Sequence, residues 1–282
     1  MAQPERSDGT SPAPVSGRNL MLAVGSAVLF ATLFLISAFI NAWALLSFVA
    51  VVVVIAVLEV DAALRTTDVR PPTVVVLLTG VPMLAASYVY GADGQLTALA
   101  IMVTGIVLWV LVDRRDPTPI RSAGAALLIG VWVPFMASFL ALLLQRPNGA
   151  WFIIITVGLT AASDIAAYAV GSRFGRRKLA PAVSPGKTWE GATGGMAGAM
   201  LVAGIVAPLL VEQLSVGRAV ALGALVAVVA VVGDLAESAV KRSLGVKDLG
   251  RLLPGHGGMM DRVDAMLFTL PVAHLVLLAG RL

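Results

Sequence analysis

LLPGHGGMMDRVDAMLFTLPVAHLVLLAG, residues 252–280, turns from charge to hydrocarbon within a few positions. His256, Asp261, Arg262 and Asp264 crowd its first half, and no Asp, Glu, Lys or Arg follows between Ala265 and Gly280. A bilayer core is crossed by a helix of roughly 20 apolar residues, so this run reads as a membrane span. Charge set against the end of such a span is costly unless it pairs, binds a metal or faces water.

The same pattern recurs along the chain. Hydrophobic residues make up 59% and charged residues 13%, where a soluble domain carries about 25% charged. Apolar runs lie at 19–38, 42–63, 72–91, 95–112, 121–144, 150–171, 190–211, 217–240 and 264–281. The fold class expected is all-α, a polytopic transmembrane helix bundle of about nine spans. Residues 1–18, rich in Pro, Ser and Gly, read as a disordered tail. Residues 19–145 then form N-terminal transmembrane helices and 146–282 a C-terminal transmembrane catalytic region. The first run lacks a small-residue cleavage site, so a removed signal peptide is not expected. Asn41 and Trp43 supply only a thin break between the first two spans, and Pro82, Pro134, Pro208 and Pro271 predict kinks rather than ends.

Orientation follows from the basic residues. Of the 20 Lys and Arg, only Arg146, Arg218 and Arg281 fall on one side of the expected bundle. The rest occupy the N-terminal tail and the loops after even-numbered spans, which places that side in the cytoplasm. The pI near 9.8 is therefore topogenic, and nucleic acid is not an expected partner. The chain has no cysteine, which excludes disulfides and thiolate metal sites.

The unusual chemistry gathers in 231–264, VVGDLAESAVKRSLGVKDLGRLLPGHGGMMDRVD. On a helix, Asp234, Ser238 and Lys241 form one polar stripe, with Glu237 bordering it. Asp261 and Asp264, three apart, share a face if the last span begins there. Carboxylates and a hydroxyl without Cys make a hard oxygen site suited to Mg²⁺. Lys241, Arg242, Lys247, Arg251 and Arg262 surround it with cations, and Gly255, Gly257 and Gly258 let backbone approach a ligand. Acids to hold a divalent ion, ringed by bases, suit a polyphosphate. Internal ion pairs such as Asp234 with Lys241 are the plainer reading, but they do not explain the crowding.

In 238–264 the order S-x-hydrophobic-K-R, then K-D, then P-x-H-G-G-x-x-D-R-x-D resembles the signature of the phosphatidate cytidylyltransferases, or CDP-diacylglycerol synthases. The fixed positions are filled by Ser238, Lys241, Arg242, Lys247, Asp248, Pro254, His256, Gly257, Gly258, Asp261, Arg262 and Asp264. A second segment, SDIAAYAVGSRFGRRKLAPAVSPGKTWEGATGG at 163–195, is similar to the family's D-x-x-A-Y and S-P-x-K-T-x-E-G region. Its GKT is not a P-loop, because Pro181 stands where that motif needs glycine. Ser184, Lys187 and Thr188 are donors suited to nucleotide phosphates. Glu190 is balanced between that role and a favourable helix start. Gly191, Gly194, Gly195 and Gly198 read as close helix packing, and Asp164, inside a span, as part of a functional cavity. Glu59 and Asp61, near the cytoplasmic end of the second span, read as interfacial, with a place lining the same cavity as the alternative.

The resemblance covers roughly 150–270 and implies transfer of a cytidylyl group from CTP to phosphatidic acid, giving CDP-diacylglycerol and pyrophosphate. It implies Mg²⁺ on Asp234 and Asp261, with Ser238 and Asp264 either completing the set or holding a second cation. Lys241 and Arg262 then act at the transferring group, and Asp164, Ser184, Lys187, Thr188, Arg242, Lys247, Asp248, His256, Gly257 and Gly258 bind substrate. The expected setting is the inner (plasma) membrane with lipid around the acyl chains; a homodimer is left open. A transporter would carry internal helix repeats, which the chain lacks. A CDP-alcohol phosphotransferase needs D-G-x-x-A-R, which is also absent.

Overall fold

The computed structural model describes residues 17–67, 69–114, 116–250 and 257–279, with side chains from 25 onward. The helices are α1 (Gly17–Ile40), α2 (Ala42–Leu64), α3 (Thr73–Val112), α4 (Pro119–Gly130), α5 (Met136–Leu144), α6 (Gly149–Phe174), α7 (Trp189–Leu210), α8 (Val216–Ser243) and α9 (Met260–Ala279). A π-helical turn, Val131–Phe135, joins α4 to α5 in one rod, Pro119–Leu144. Among the described residues, seven helical segments are long and apolar enough to cross a membrane. The all-α expectation holds for the bundle. Its one departure among the described residues is a hairpin of β1 (Lys178–Ala180) and β2 (Ser184–Thr188).

The boundaries follow local chemistry. The thin break after α1 is a helix cap: Asn41 is extended, and its side-chain oxygen accepts the Ala44 N–H at 2.9 Å. Helix α3 has 40 residues, which drawn straight would measure about 60 Å, twice a bilayer core. It folds back instead at Gly91, whose φ of 66° and ψ of −147° suit glycine alone. A Cβ on Gly105 would lie 2.9 Å from Val75 Cγ1, so the two halves lie side by side. The Tyr88 carbonyl near the bend accepts from Gln145 Nε2 at 2.8 Å. The separate runs at 72–91 and 95–112 are thus a helical hairpin. Pro82, Pro208 and Pro271 sit inside continuous helices, and Pro134 lies in the π-turn.

Polar contacts sort the connections onto two ends of the bundle. Gln145 reaches Tyr88, and Asn148 Nδ2 lies 3.4 Å from Gln213 Oε1, at one end. At the other, the Arg70 N–H donates to Ser122 Oγ, Arg242 Nε to the Val183 carbonyl, and the Met260 N–H to Glu59 Oε2. This second end holds the hairpin and the start of α9.

Helices α6 to α9 pack through small residues. A Cβ on Gly195 would lie 2.8 Å from the Ser163 carbonyl, and one on Gly198 would lie 2.5 Å from Ala166 Cβ. Gly223 packs against Ala199 in the same way. With no hydrophobic drive between helices in lipid, backbone proximity of this kind is what holds neighbours together. The expected packing role of Gly191, Gly194, Gly195 and Gly198 agrees with these contacts.

Candidate active site

The site is built on α8. Asp234, Glu237, Ser238 and Lys241 share one side of its last turns, and Gly233 opens the way for α9. A Cβ on Gly233 would lie 3.1 Å from Ala265 Cα and 3.2 Å from the Asp264 carbonyl oxygen. That approach sets Asp264 against α8. Asp234, Glu237 and Asp264 each offer a carboxylate oxygen, and these all lie within 4.8 Å of one another. Glu237 is 1% exposed, and its Oε1 is buried with no hydrogen-bond partner among the described residues.

Two lysines flank the acids from different elements. Lys241 Nζ lies 2.5 Å from Glu237 Oε2 and 2.9 Å from Asp261 Oδ1. Lys187 Nζ, delivered by β2, lies 2.5 Å from Asp234 Oδ2. Ser238 Oγ donates weakly to Asp234 Oδ1 at 3.4 Å. Asp261 is engaged at both oxygens, since Oδ2 accepts the Gly258 N–H at 2.7 Å. The left-handed Gly257, φ 77°, makes that turn possible.

Helix α9 starts at Met260, four residues before the expected span, so Asp261 and Asp264 do share a helical face. Beside the acids opens a cavity of about 430 Å³, lined by Asp164, Tyr168, Ser184, Lys187, Thr188 and Asp234 among others. Its floor is α6 and α8 and its rim is the β-hairpin. The hairpin is pinned where α7 begins. Thr188 Oγ1 accepts the Gly191 N–H at 3.1 Å as an N-cap, and the Glu190 carboxylate accepts the Arg176 and Arg177 N–H groups at 3.0 and 3.1 Å. Thr188 therefore spends its acceptor on the helix, and Glu190 is a latch between hairpin and helix.

The structure brings Asp164, Ser184, Lys187, Asp234, Ser238, Lys241, Asp261 and Asp264 to one region of the molecule. Arg242 is exposed and tied to the hairpin at Val183, 3.3 Å away. Lys247 and Asp248 are exposed on the loop after α8. Asp248 Oδ1 nevertheless comes within 3.7 Å of where a Gly257 Cβ would stand, beside Asp261. Arg262 is exposed, and Gly258 is buried. His256, with Arg251 and Pro254, lies outside the described residues. Glu237 was absent from the expected ligand set; its spacing of three from Asp234 and four from Lys241 is the signal that could have placed it there. Glu59 and Asp61 are buried among neighbouring helices, 8% and 7% exposed.

A multispan helical bundle with a buried oxygen cluster beside paired lysines defines an integral membrane protein fitted for phosphate chemistry. Three carboxylates, one oxygen of them buried and unpartnered, can accept a hard divalent cation. Residues 21–279 match the model of the Cytidylyltransferase family, and the chain belongs to that family of enzymes. A phosphatidate cytidylyltransferase of Mycobacterium leprae is 36% identical over 288 residues, covering 94% of this chain and 89% of that protein. One from Mycobacterium tuberculosis is 37% identical, covering 81% of this chain and 73% of its own length. One from Thermotoga maritima is 37% identical over 62% of this chain and 67% of its own. The resemblance seen in the two motif segments is borne out.

Proposed function

We propose that this protein transfers the cytidylyl group of CTP to phosphatidic acid, releasing pyrophosphate and forming CDP-diacylglycerol at the inner membrane. The observation that carries the reading is the buried cluster of Asp234, Glu237 and Asp264, acids in excess with an unpartnered oxygen on Glu237. The named activity of the relatives supports the same substrates.

The donor set fits Mg²⁺, being all oxygen, compact and free of sulfur. Asp234, Glu237 and Asp264 would hold it, with Ser238 alongside. Asp261, expected among the ligands, lies outside that group of three; its oxygens take Lys241 Nζ and the Gly258 N–H, and we assign it to holding Lys241. A bound Mg²⁺ supplies a positive charge to offset that developing on the transferring phosphate. The chain's own groups do the rest. Phosphatidate is already ionised at neutral pH, so its phosphate oxygen can attack the α-phosphorus without a strong general base. The bond to the bridging oxygen breaks and pyrophosphate leaves. Lys241 meets charge on the transferring group, and Lys187 on the hairpin meets the nucleotide phosphates. The cavity between α6, α8 and the hairpin admits the nucleotide, while acyl chains stay in lipid.

The reading is tested with purified protein in phosphatidate–detergent micelles. Pyrophosphate and CDP-diacylglycerol should form in equal amounts and only with CTP and phosphatidate together. No product from that pair, or hydrolysis of CTP alone, would contradict it. The basic end faces the cytoplasm in this reading. With no native cysteine, Arg176→Cys should label from the cytoplasm and Glu212→Cys from outside; labelling of both from one side would refute the orientation.

A further inference from the structure

Glu59 belongs to α2, in the half of the chain that gives the cluster no acid. Its carboxylate nevertheless reaches the turn that begins α9. Oε2 accepts the Met260 N–H at 2.9 Å, across 201 residues of sequence. The residue is 8% exposed, and Oε1 is buried with no partner among the described residues. Two glycines form its slot. A Cβ on Gly258 would lie 2.5 Å from Oε2, and one on Gly250 would overlap the carboxyl carbon and Oε1.

A buried carboxylate in a membrane protein is expensive and is kept for a reason. Capping alone is a weak reason, because a local Ser or Asp would cap α9 more cheaply. Met259, which precedes the helix, has no side-chain oxygen, and the Met260 N–H is met instead by Glu59 from α2. The turn that Glu59 grips also carries Gly258, whose N–H holds Asp261 at 2.7 Å. Asp261 in turn holds Lys241 at 2.9 Å. A chain of direct contacts therefore runs from α2 to the lysine beside the acid cluster.

We infer that Glu59 is a positioning residue for the transfer, fixing the Gly258–Asp261 turn so that Asp261 aims Lys241. It acts by reach, through the Met260 N–H and the two glycine walls, and not by its charge. The inference rests on the cytidylyl-transfer reading for its kinetic consequence.

Two conservative variants separate reach from charge. Glu59→Gln keeps the length and an acceptor oxygen; Glu59→Asp keeps the charge and loses a methylene. Glu59→Gln should retain kcat within about threefold. Glu59→Asp should lose kcat about 10- to 100-fold, the range seen for residues that orient another group, with little change in KM for CTP. Gly258→Ala, which pushes the carboxylate out, should cost a similar factor, and Glu59→Asp with Gly258→Ala should be no worse than the poorer single variant. Amide hydrogen exchange over 257–264, read by mass spectrometry, should speed up in Glu59→Asp and stay slow in Glu59→Gln. Loss of kcat or of folding in Glu59→Gln, or full kcat with unchanged exchange in Glu59→Asp, overturns the inference. If the wild-type protein makes no product, the functional reading fails, while the exchange comparison still decides whether Glu59 holds the turn by its reach.

Discussion

Asp61 and the Asp234–Glu237–Asp264 cluster lie at the same end of the bundle, and their surroundings differ in kind. Asp61 has both oxygens taken, Oδ2 by Arg65 Nε at 2.7 Å and Oδ1 by Thr73 Oγ1 at 2.6 Å. It closes the corner between α2 and α3 and asks for nothing more. In the cluster, three carboxylates share a space 4.8 Å wide and Glu237 Oε1 has no partner among the described residues. Like charges brought together under burial repel, and such a cluster persists where it serves a ligand of opposite charge. Complete pairing in isolation marks the structural acid, and crowding of three carboxylates around one unpartnered oxygen marks the functional ones.

The largest expected effect tests the crowding. Asp264→Asn and Asp234→Asn should each lower the rate of CDP-diacylglycerol formation about 10³-fold, several kcal/mol of transition-state stabilisation. In Asp264→Asn the melting temperature should hold or rise, because one of three crowded carboxylates is gone. A loss of only a few fold, with a fall in stability, would place the cluster in the same class as Asp61.

A smaller effect sharpens the division between the two lysines. Lys241 touches Glu237 and Asp261 on the helices, while Lys187 is carried by the hairpin at the cavity rim. Lys241→Ala should reduce kcat on the order of 10²-fold, since its charge is needed in the transition state. Lys187→Ala should raise KM for CTP about tenfold with a lesser effect on kcat. Steady-state kinetics with CTP and phosphatidate varied independently separate these outcomes. If both variants shift only the phosphatidate dependence, both lysines belong to the lipid headgroup.

The smallest effect on activity belongs to the paired acid. Asp61→Asn weakens charge-assisted bonds to Arg65 and Thr73 and should cost about 1–3 kcal/mol of stability. Turnover per folded molecule should not change. A specific loss of kcat, with the thermal midpoint intact, would erase the contrast between the two regions.

Much of this was legible from spacing alone. Helical periodicity and loop charge marked out the helices, and the Asn41 break and the 91–95 interruption fell where a cap and a hairpin bend lie. The polar stripe of Asp234, Ser238 and Lys241 follows from the pitch of one helix. What was hidden depends on contacts between distant segments. No local pattern links Glu59 to Met260, and a buried acid looks interfacial when only its neighbours in sequence are visible. The β-hairpin was read as a loop because its strands are short and lack alternation. The capping of α7 by Thr188 and the grip of Glu190 on the hairpin were hard to separate from phosphate binding, because a helix cap and a phosphate site draw on the same residue types. Glu237 was placed only at the border of the stripe, because its crowding by Asp264 exists only once α9 packs on Gly233.

The central claim is that the Asp234–Glu237–Asp264 cluster holds a divalent cation for cytidylyl transfer. Its most direct test is the rate of CDP-diacylglycerol formation by wild-type, Asp61→Asn and Asp264→Asn proteins as free Mg²⁺ is raised from full chelation by EDTA to millimolar levels. The wild-type and Asp61→Asn proteins should be inactive under chelation and rise to the same plateau, while Asp264→Asn should stay near zero throughout. Turnover that persists in EDTA, or an Asp264→Asn curve that follows the wild type, would contradict the account.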